Sequence, residues 1–440
     1  MAERSVILVL PAQESLRSPA IEMMMTGRGR ITRRIEGIPK RTELDTTFAP
    51  VPLGQIGFTA SLAMASPAAA PRFAVRAVMD ETGDPVTSTA DGAQVFSDPT
   101  ISHFLAPGCA AGPIGDRSHV ASLLGVAGLA AKNLDGAGVA MAVMDTGINL
   151  AHLRSRGLNP TLDATLTWSP GTGMPGQYAV EHGTMCAYDA LLAAPRATLL
   201  DFPILLSTTP GGSPTAGLLS DALQAYATLV AVMRRSAEDR PFQHLVVTNS
   251  WGLYDPNWDF PVGHPGRYID NPNHPFNIVV GTLSRTGADI LFAAGNCGAE
   301  CPDGRCGGVK HTIMGANAHP DVMTIAGVTT KRQRVGYSSQ GPGIPGMAHT
   351  KPDLSCYTHF LGSEAFGTGT PDTGTSAACP VAAGAVAAIR TKVPHTTLRS
   401  RDLARELRAD ATRRGASGGW NRNTGYGILE PLKTATRLGL

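Results

Sequence analysis

The sequence predicts an α/β protein: a three-layer fold with a mostly parallel central sheet between helices, preceded by a smaller N-terminal α+β region. Three observations carry that reading. From about residue 118 onward, short apolar runs alternate with helix-like segments, the pattern of a parallel sheet covered on both faces. Reactive residue types follow directly on those apolar runs, where open α/β sheets place their sites. Residues 1–105 break the alternation, and a chain of 440 residues is long enough for a large core and two domains.

In chain order, residues 6–10 and 72–79 are strand candidates of the first region, separated by a Pro/Ala-rich break at 66–71. A closing segment at 94–99 and a linker at 106–117 lead into the main domain at 118–440. There, residues 139–144, 199–206, 244–248, 290–294 and 322–328 read as buried strands, and 182–194, 218–235, 276–285 and 376–391 as helices. Asp145 and Asn296 therefore sit at the carboxyl ends of strands, and His182 and Ser376 open helices. The exposed N–H groups of a helix start add a positive field there, and Pro380 is tolerated in a first turn that has no N–H partner to lose.

Four segments in fixed order spell out acyl-transfer chemistry: Val143-Met144-Asp145-Thr146-Gly147, His182-Gly183-Thr184, Ala293-Ala294-Gly295-Asn296 and Gly374-Thr375-Ser376-Ala377-Ala378-Cys379-Pro380. A serine hydroxyl is a poor nucleophile until an imidazole takes its proton, and the imidazole needs a carboxylate to hold its tautomer. Ser376, His182 and Asp145 supply that set, and the Asn296 amide beside the Ser376 N–H supplies two donors for the oxyanion. Singly, Asp145 reads as a loop carboxylate and His182 as a hydrogen-bonded residue at a helix start; the ordered set carries the catalytic reading.

The chain order Asp, His, Ser separates this arrangement from the chymotrypsin-like and α/β-hydrolase orders. The chain resembles the subtilisin-like serine proteases from about Val120 to about Ala435. Supporting segments fall in the family's order: Ser250-Trp251-Gly252 looks like the strand that pairs with substrate, and Gly336-Tyr337-Ser338-Ser339-Gln340-Gly341-Pro342 is similar to its serine-rich turn. Lys351-Pro352-Asp353-Leu354 and Gly425-Tyr426-Gly427 match two further motifs. The resemblance implies a serine endopeptidase acting on peptide or protein substrates. It implies cleft edges at Ser250-Trp251-Gly252 and around Gly211-Gly212-Ser213, and a side-chain pocket near Ala294, Gly295, Gly315 and Ala316. It also allows residues 1–105 to be a propeptide whose tail lies in the cleft; a permanent interaction or regulatory domain is the alternative. A peptide ligase or macrocyclase using the same acyl-enzyme, and a non-catalytic peptide-binding module, are the rival functions.

Several departures from the family pattern stand out. The segment from His182 runs directly toward the next strand without the family's calcium loop, and Asn149-Leu150-Ala151-His152-Leu153 offers no carboxylate, so no calcium is expected there. Ala377 replaces a common methionine, removing a thioether open to oxidation. Cys186 and Cys379 read as buried small hydrophobes. Cys297, Cys301 and Cys306 suggest either a disulfide at the pocket wall or, with His311, a zinc site without a CxxC knuckle. Residues 253–275 carry Tyr254, Trp258, Phe260 and Tyr268 among five prolines, as either a specificity wall or a loop packing its own aromatics. Glu300 and Asp303 would favour a basic residue in the pocket, whereas Gly315 and Ala316 suggest a roomy one.

A net charge of +2 gives no drive toward nucleic acid or anionic membranes, and the basic residues between Arg28 and Arg41 are diluted by acidic ones. No cofactor is called for. The first apolar run is too short for a signal segment, no stretch approaches 18 apolar residues, and the seven cysteines are odd in number, so a cytoplasmic protein is expected.

Overall fold

The computed structural model describes residues 3–26, 28–53, 72–80, 87–88, 92–104, 112–206, 215–413 and 419–440. The N-terminal region contains β1 (Glu3–Pro11), α1 (Glu14–Thr26), β2 (Thr42–Leu44), β3 (Val51–Leu53), β4 (Arg72–Asp80), β5 (Gln94–Ser97) and β6 (Thr100–His103). The first five strands form an antiparallel sheet in the order β2-β4-β1-β5, with β3 also paired to β4. Side chains alternate across a strand, and both faces of β1 are covered. Val6, Leu8 and Leu10 pack with Leu16 and Ala20 of α1 in a small local core, whereas Ile7 and Val9 join the core of the main domain. That double burial explains why the run reads as continuously apolar.

The main domain follows as α2 (Arg117–Leu124), α3 (Val126–Ala131), β7 (Val139–Met144), α4 (Leu150–Ser155), β8 (Thr161–Leu162), α5 (His182–Ala190), β9 (Thr198–Phe202), β10 (Ala216–Leu218), α6 (Leu219–Met233), β11 (His244–Asn249) and β12 (Trp251–Gly252). It ends with α7 (Pro275–Arg285), β13 (Ala288–Ala293), β14 (Met323–Val328), β15 (Leu354–Tyr357), α8 (Thr375–Arg390), α9 (Ser400–Asp410) and α10 (Pro431–Arg437). Seven parallel strands form the central sheet in the order β15-β14-β13-β11-β7-β9-β8. From β7 the chain builds outward in one direction and from β11 in the other, so a crevice opens beyond their carboxyl ends.

Helix α8 is buried along its whole length. Its run of alanines, with Gly384 against the Ala190 carbonyl, lets it lie close to the sheet and to α5. The strand expected over 199–206 ends at Phe202, after which Leu205 N–H donates to the Asp145 carbonyl (3.0 Å). The helix expected over 182–194 ends at Ala190, ahead of Pro195, whose ring disfavours helical geometry in the residue before it. No helix among the described residues is long and apolar enough to cross a membrane.

Candidate active site

Asp145 follows β7, and the Thr146 N–H holds one of its carboxylate oxygens at 2.8 Å. His182 opens α5, whose Gly183 N–H donates to Thr146 Oγ1 at 2.9 Å. A Cβ on Gly183 would lie 2.5 Å from the Gly147 carbonyl oxygen, so the glycine permits the approach of helix and loop. As a result His182 Nδ1 lies 2.8 and 2.9 Å from the two Asp145 oxygens, with both side chains buried. The carboxylate holds the ring proton on Nδ1 and leaves Nε2 as the base. Nε2 has no hydrogen-bond partner among the described residues.

Ser376 sits in the first turn of α8. Its hydroxyl donates to the Phe104 carbonyl oxygen at 2.6 Å and lies 3.1 Å from the Ser250 carbonyl. Asn296 Nδ2 donates to the same Phe104 oxygen at 2.9 Å. The Asn296 oxygen accepts from Thr375 N–H (2.9 Å) and Thr375 Oγ1 (3.0 Å), which fixes which end of the amide faces the carbonyl. Gly374, with φ of 78°, stands directly behind the Phe104 oxygen, where any Cβ would collide with it. Ser376 and Asn296 thus meet at one peptide carbonyl, while Asp145 and His182 form a buried pair whose Nε2 makes no hydrogen bond to Ser376.

That carbonyl ends β6, which lies between two strands of the main domain. Ser102 pairs antiparallel with Gly252 on β12 and with Ala216 on β10, and Phe104 N–H donates to the Ser250 carbonyl at 3.0 Å. Ser250, Trp251 and Gly252 therefore line the occupied cleft. The second edge expected at Gly211-Gly212-Ser213 lies outside the described residues; the described edge is β10. Gly295 lies beside the Phe104 ring, a Cβ there being 3.6 Å from Cζ, and Ala294 precedes it. Gly315 is instead packed under the Tyr268 ring.

The His103 ring stacks on His182, centroids 4.5 Å apart and planes 18° from parallel. Burial, followed by the neighbouring His182 charge, lowers the His103 pKa to about 3. Phe104 meets Tyr254 edge to face, with centroids 5.1 Å apart. The expectation of a propeptide tail in the cleft did not single out His103 and Phe104, and the wall expected of 253–275 included Tyr254 but not Arg305. The aromatic content of 253–275 was the available signal.

The N-terminal sheet is fastened beside the cleft. Asp98 accepts from Ser220 N–H (2.7 Å) and Oγ (2.6 Å) at the start of α6, where the helix dipole favours an anion. Arg76 of β4 bonds to Asp221 and to Ser220 Oγ. Burial raises the Asp98 pKa to about 6 against the opposing pull of Arg76. The 253–275 segment contributes to the cleft and to the N-terminal region alike. Tyr254 faces the cleft, while Phe260 enters the small N-terminal core and the Gly266 carbonyl accepts from Ser97 N–H at 2.9 Å.

Cys297 and Cys306 form a disulfide, and Cys301 is disulfide-bonded as well, so these sulfurs are withdrawn from the zinc set considered with His311. Glu300 pairs with Arg334 (2.6 Å) and Asp303 with Arg305 (2.9 Å). Neither carboxylate is left to receive a basic side chain on its own. Cys186 and Cys379 are buried free thiols. Cys186 Sγ lies 3.5 Å from an Asp145 oxygen, and burial holds its pKa well above the ordinary thiol range. Asp145, His182 and Cys186 could together surround a metal ion, but His182 Nδ1 is already engaged by the carboxylate.

A family model described as the subtilase family, Peptidase_S8, matches residues 136–427. Comparison with curated proteins gives no match.

Proposed function

The chain belongs to the subtilase family, and on that premise we propose that it is a serine endopeptidase working through a Ser376 acyl-enzyme. The observation that carries this reading is the Phe104 carbonyl oxygen bridged by Ser376 Oγ and Asn296 Nδ2. For reaction, Ser376 Oγ turns from the carbonyl oxygen to the carbonyl carbon and passes its proton to His182 Nε2. Asp145 stabilises the imidazolium, while Asn296 and the Ser376 N–H hold the oxyanion. His182 then protonates the leaving amine, and water frees the acyl group by the same steps. A purely peptide-binding module has no use for a buried imidazole–carboxylate pair beside an oriented amide.

The N-terminal region is read as an intramolecular inhibitor, with β6 bound as a substrate strand is bound and Phe104 at the position of cleavage. The Cys297–Cys306 disulfide favours an oxidising compartment and speaks against the cytoplasmic expectation.

The test is Ser376→Ala in the full chain. The unaltered protein should be cut after Phe104 and, once freed of its N-terminal piece, react with a fluorophosphonate. The variant should stay intact and unlabelled, with an unchanged circular dichroism spectrum. Cleavage after Phe104 that persists in the variant would refute the assignment of the nucleophile.

A further inference from the structure

We propose that Tyr254 is the specificity-determining residue of the cleft: its ring selects an aromatic side chain at the residue whose carbonyl is attacked, and its hydroxyl holds the carbonyl one residue earlier. The proposal rests on the hydrolytic reading above. Tyr254 lies two residues beyond β12, so the strand that pairs with the bound segment delivers it to the pocket. Its ring meets the Phe104 ring at 69°, the edge-to-face arrangement that aromatic quadrupoles favour. Both side chains are buried. Gly252 sets the depth, because a Cβ there would lie 2.6 Å from Phe104 Cζ. An aromatic ring therefore reaches the floor of the pocket and finds an aromatic wall.

The charges nearby are already committed. The Arg305 guanidinium lies over the outer face of Tyr254, 3.9 Å from the ring centroid, and donates to Tyr254 Oη (2.6 Å) and to Asp303 (2.9 Å). A charged side chain entering beside Phe104's position would lose its water without gaining a free counter-ion, which burial penalises heavily. With Arg305 donating to its oxygen, the Tyr254 hydroxyl directs its own proton to the His103 carbonyl at 2.8 Å. The ring and the hydroxyl thus do separate jobs. The ring discriminates among side chains, and the hydroxyl grips the backbone whatever the side chain.

The test uses the full chain with Phe104→Leu, Phe104→Asp and Phe104→Lys, each alone and combined with Tyr254→Ala or Tyr254→Phe. The rate of cleavage after residue 104 is read by intact mass. Phe should be fastest, Leu slower by about 2–10-fold for the lost aromatic pair, and Asp and Lys slower by roughly a hundredfold or more. Tyr254→Ala should close the gap between Phe and Leu. Tyr254→Phe should keep that gap while slowing all substrates by about 2–10-fold, the effect of one hydrogen bond. Rates for Asp or Lys equal to that for Phe, or a Phe-over-Leu gap that survives Tyr254→Ala, overturn the proposal.

Because a change at residue 104 can also disturb folding, the self-cleaved native-sequence chain and its Tyr254 variants, freed of the N-terminal piece, are assayed in parallel on a peptide mixture. Cut sites should be enriched for Phe, Tyr and Trp before the scissile bond, and Tyr254→Ala should remove the enrichment. Peptides cut without aromatic preference sink this proposal alone. Absence of all cleavage and of fluorophosphonate labelling sinks the hydrolytic reading and this proposal with it.

Discussion

Replacing Asn296 by alanine isolates the amide that faces the Phe104 carbonyl. Before attack that oxygen accepts from two groups, Ser376 Oγ and Asn296 Nδ2. Once Oγ has bonded to the carbon it donates nothing, so the developing charge depends on Asn296 and the Ser376 N–H. Loss of one such donor costs about 2.7–4 kcal/mol of transition-state stabilisation, or 10²–10³ in rate, a range for which a subtilisin is itself the reference case. The substitution has a second effect, because the Asn296 oxygen also accepts from Thr375 N–H and Oγ1. Stranding a buried donor costs about 1–3 kcal/mol of stability, and a domain of this size loses roughly 2–4 °C of melting temperature for each kcal/mol. The assay is the first-order rate of cleavage after Phe104 in the full chain, with the melting temperature measured alongside. A rate reduced less than about fivefold, in a protein that melts a few degrees lower, would show that charge does not develop on the Phe104 oxygen.

Two further outcomes follow from the interface. A peptide ending Thr-Ile-Ser-His-Phe should inhibit the self-cleaved enzyme, freed of its N-terminal piece, less well as pH falls below about 6.5, because the His103 imidazole must stay neutral in the cleft, where burial lowers its pKa to about 3. The sign follows from linkage: free peptide gains a proton first, so affinity is complete above the free pKa and falls by up to about tenfold for each pH unit below it. The same peptide with Leu for His should lack that slope, and the ratio of the two inhibition constants cancels the enzyme's own titrations; a pH-independent ratio would contradict the buried neutral ring. Arg76→Met should leave the buried Asp98 and Asp221 without their cation, weakening attachment of the N-terminal piece by about 3–5 kcal/mol. Size-exclusion chromatography after self-cleavage should show the two pieces together in the native sequence and separated in the variant, and co-elution of both would refute this role for Arg76.

The candidate site was the most legible part of the sequence, because each of its residues is tied to a backbone requirement that short motifs record. Gly183 and Gly374 appear in those motifs for steric reasons now visible, one beneath the Asp145 loop and the other behind the bound carbonyl. The sheet was legible for a similar reason, since strands buried on both faces leave unbroken apolar runs. Two edge strands escaped this reading: β8 has two residues, and β15 has four, beginning at the last residue of the Lys351-Pro352-Asp353-Leu354 motif. Which residues occupy the cleft was not legible beyond the expectation that the tail of residues 1–105 could lie there. Nothing local in Ser102-His103-Phe104 distinguishes a strand that completes its own sheet from one that completes another, because main-chain pairing is indifferent to sequence. The disulfide at Cys297 was likewise open, since spacing alone does not choose between a pair of thiols and a metal ligand set.

The contacts at Phe104 imply that cleavage and release are separate events. Cutting the bond after Phe104 removes none of the pairings of β6 with β10 and β12, and the new carboxylate would still face Asn296 Nδ2 and Ser376. The other face of β1 would remain in the core shared with α6 and α7, and Asp98 would still cap α6. The cut fragment is therefore held by the same surface as the intact one, losing only its covalent link. Inhibition outlasts the first turnover on this reading, and the free energy of activation lies in the interface around Arg76, Asp98 and the 253–275 segment. The two are separable by experiment for that reason: changes at the catalytic residues alter when the chain is cut, and changes at Arg76 alter when the cleft opens.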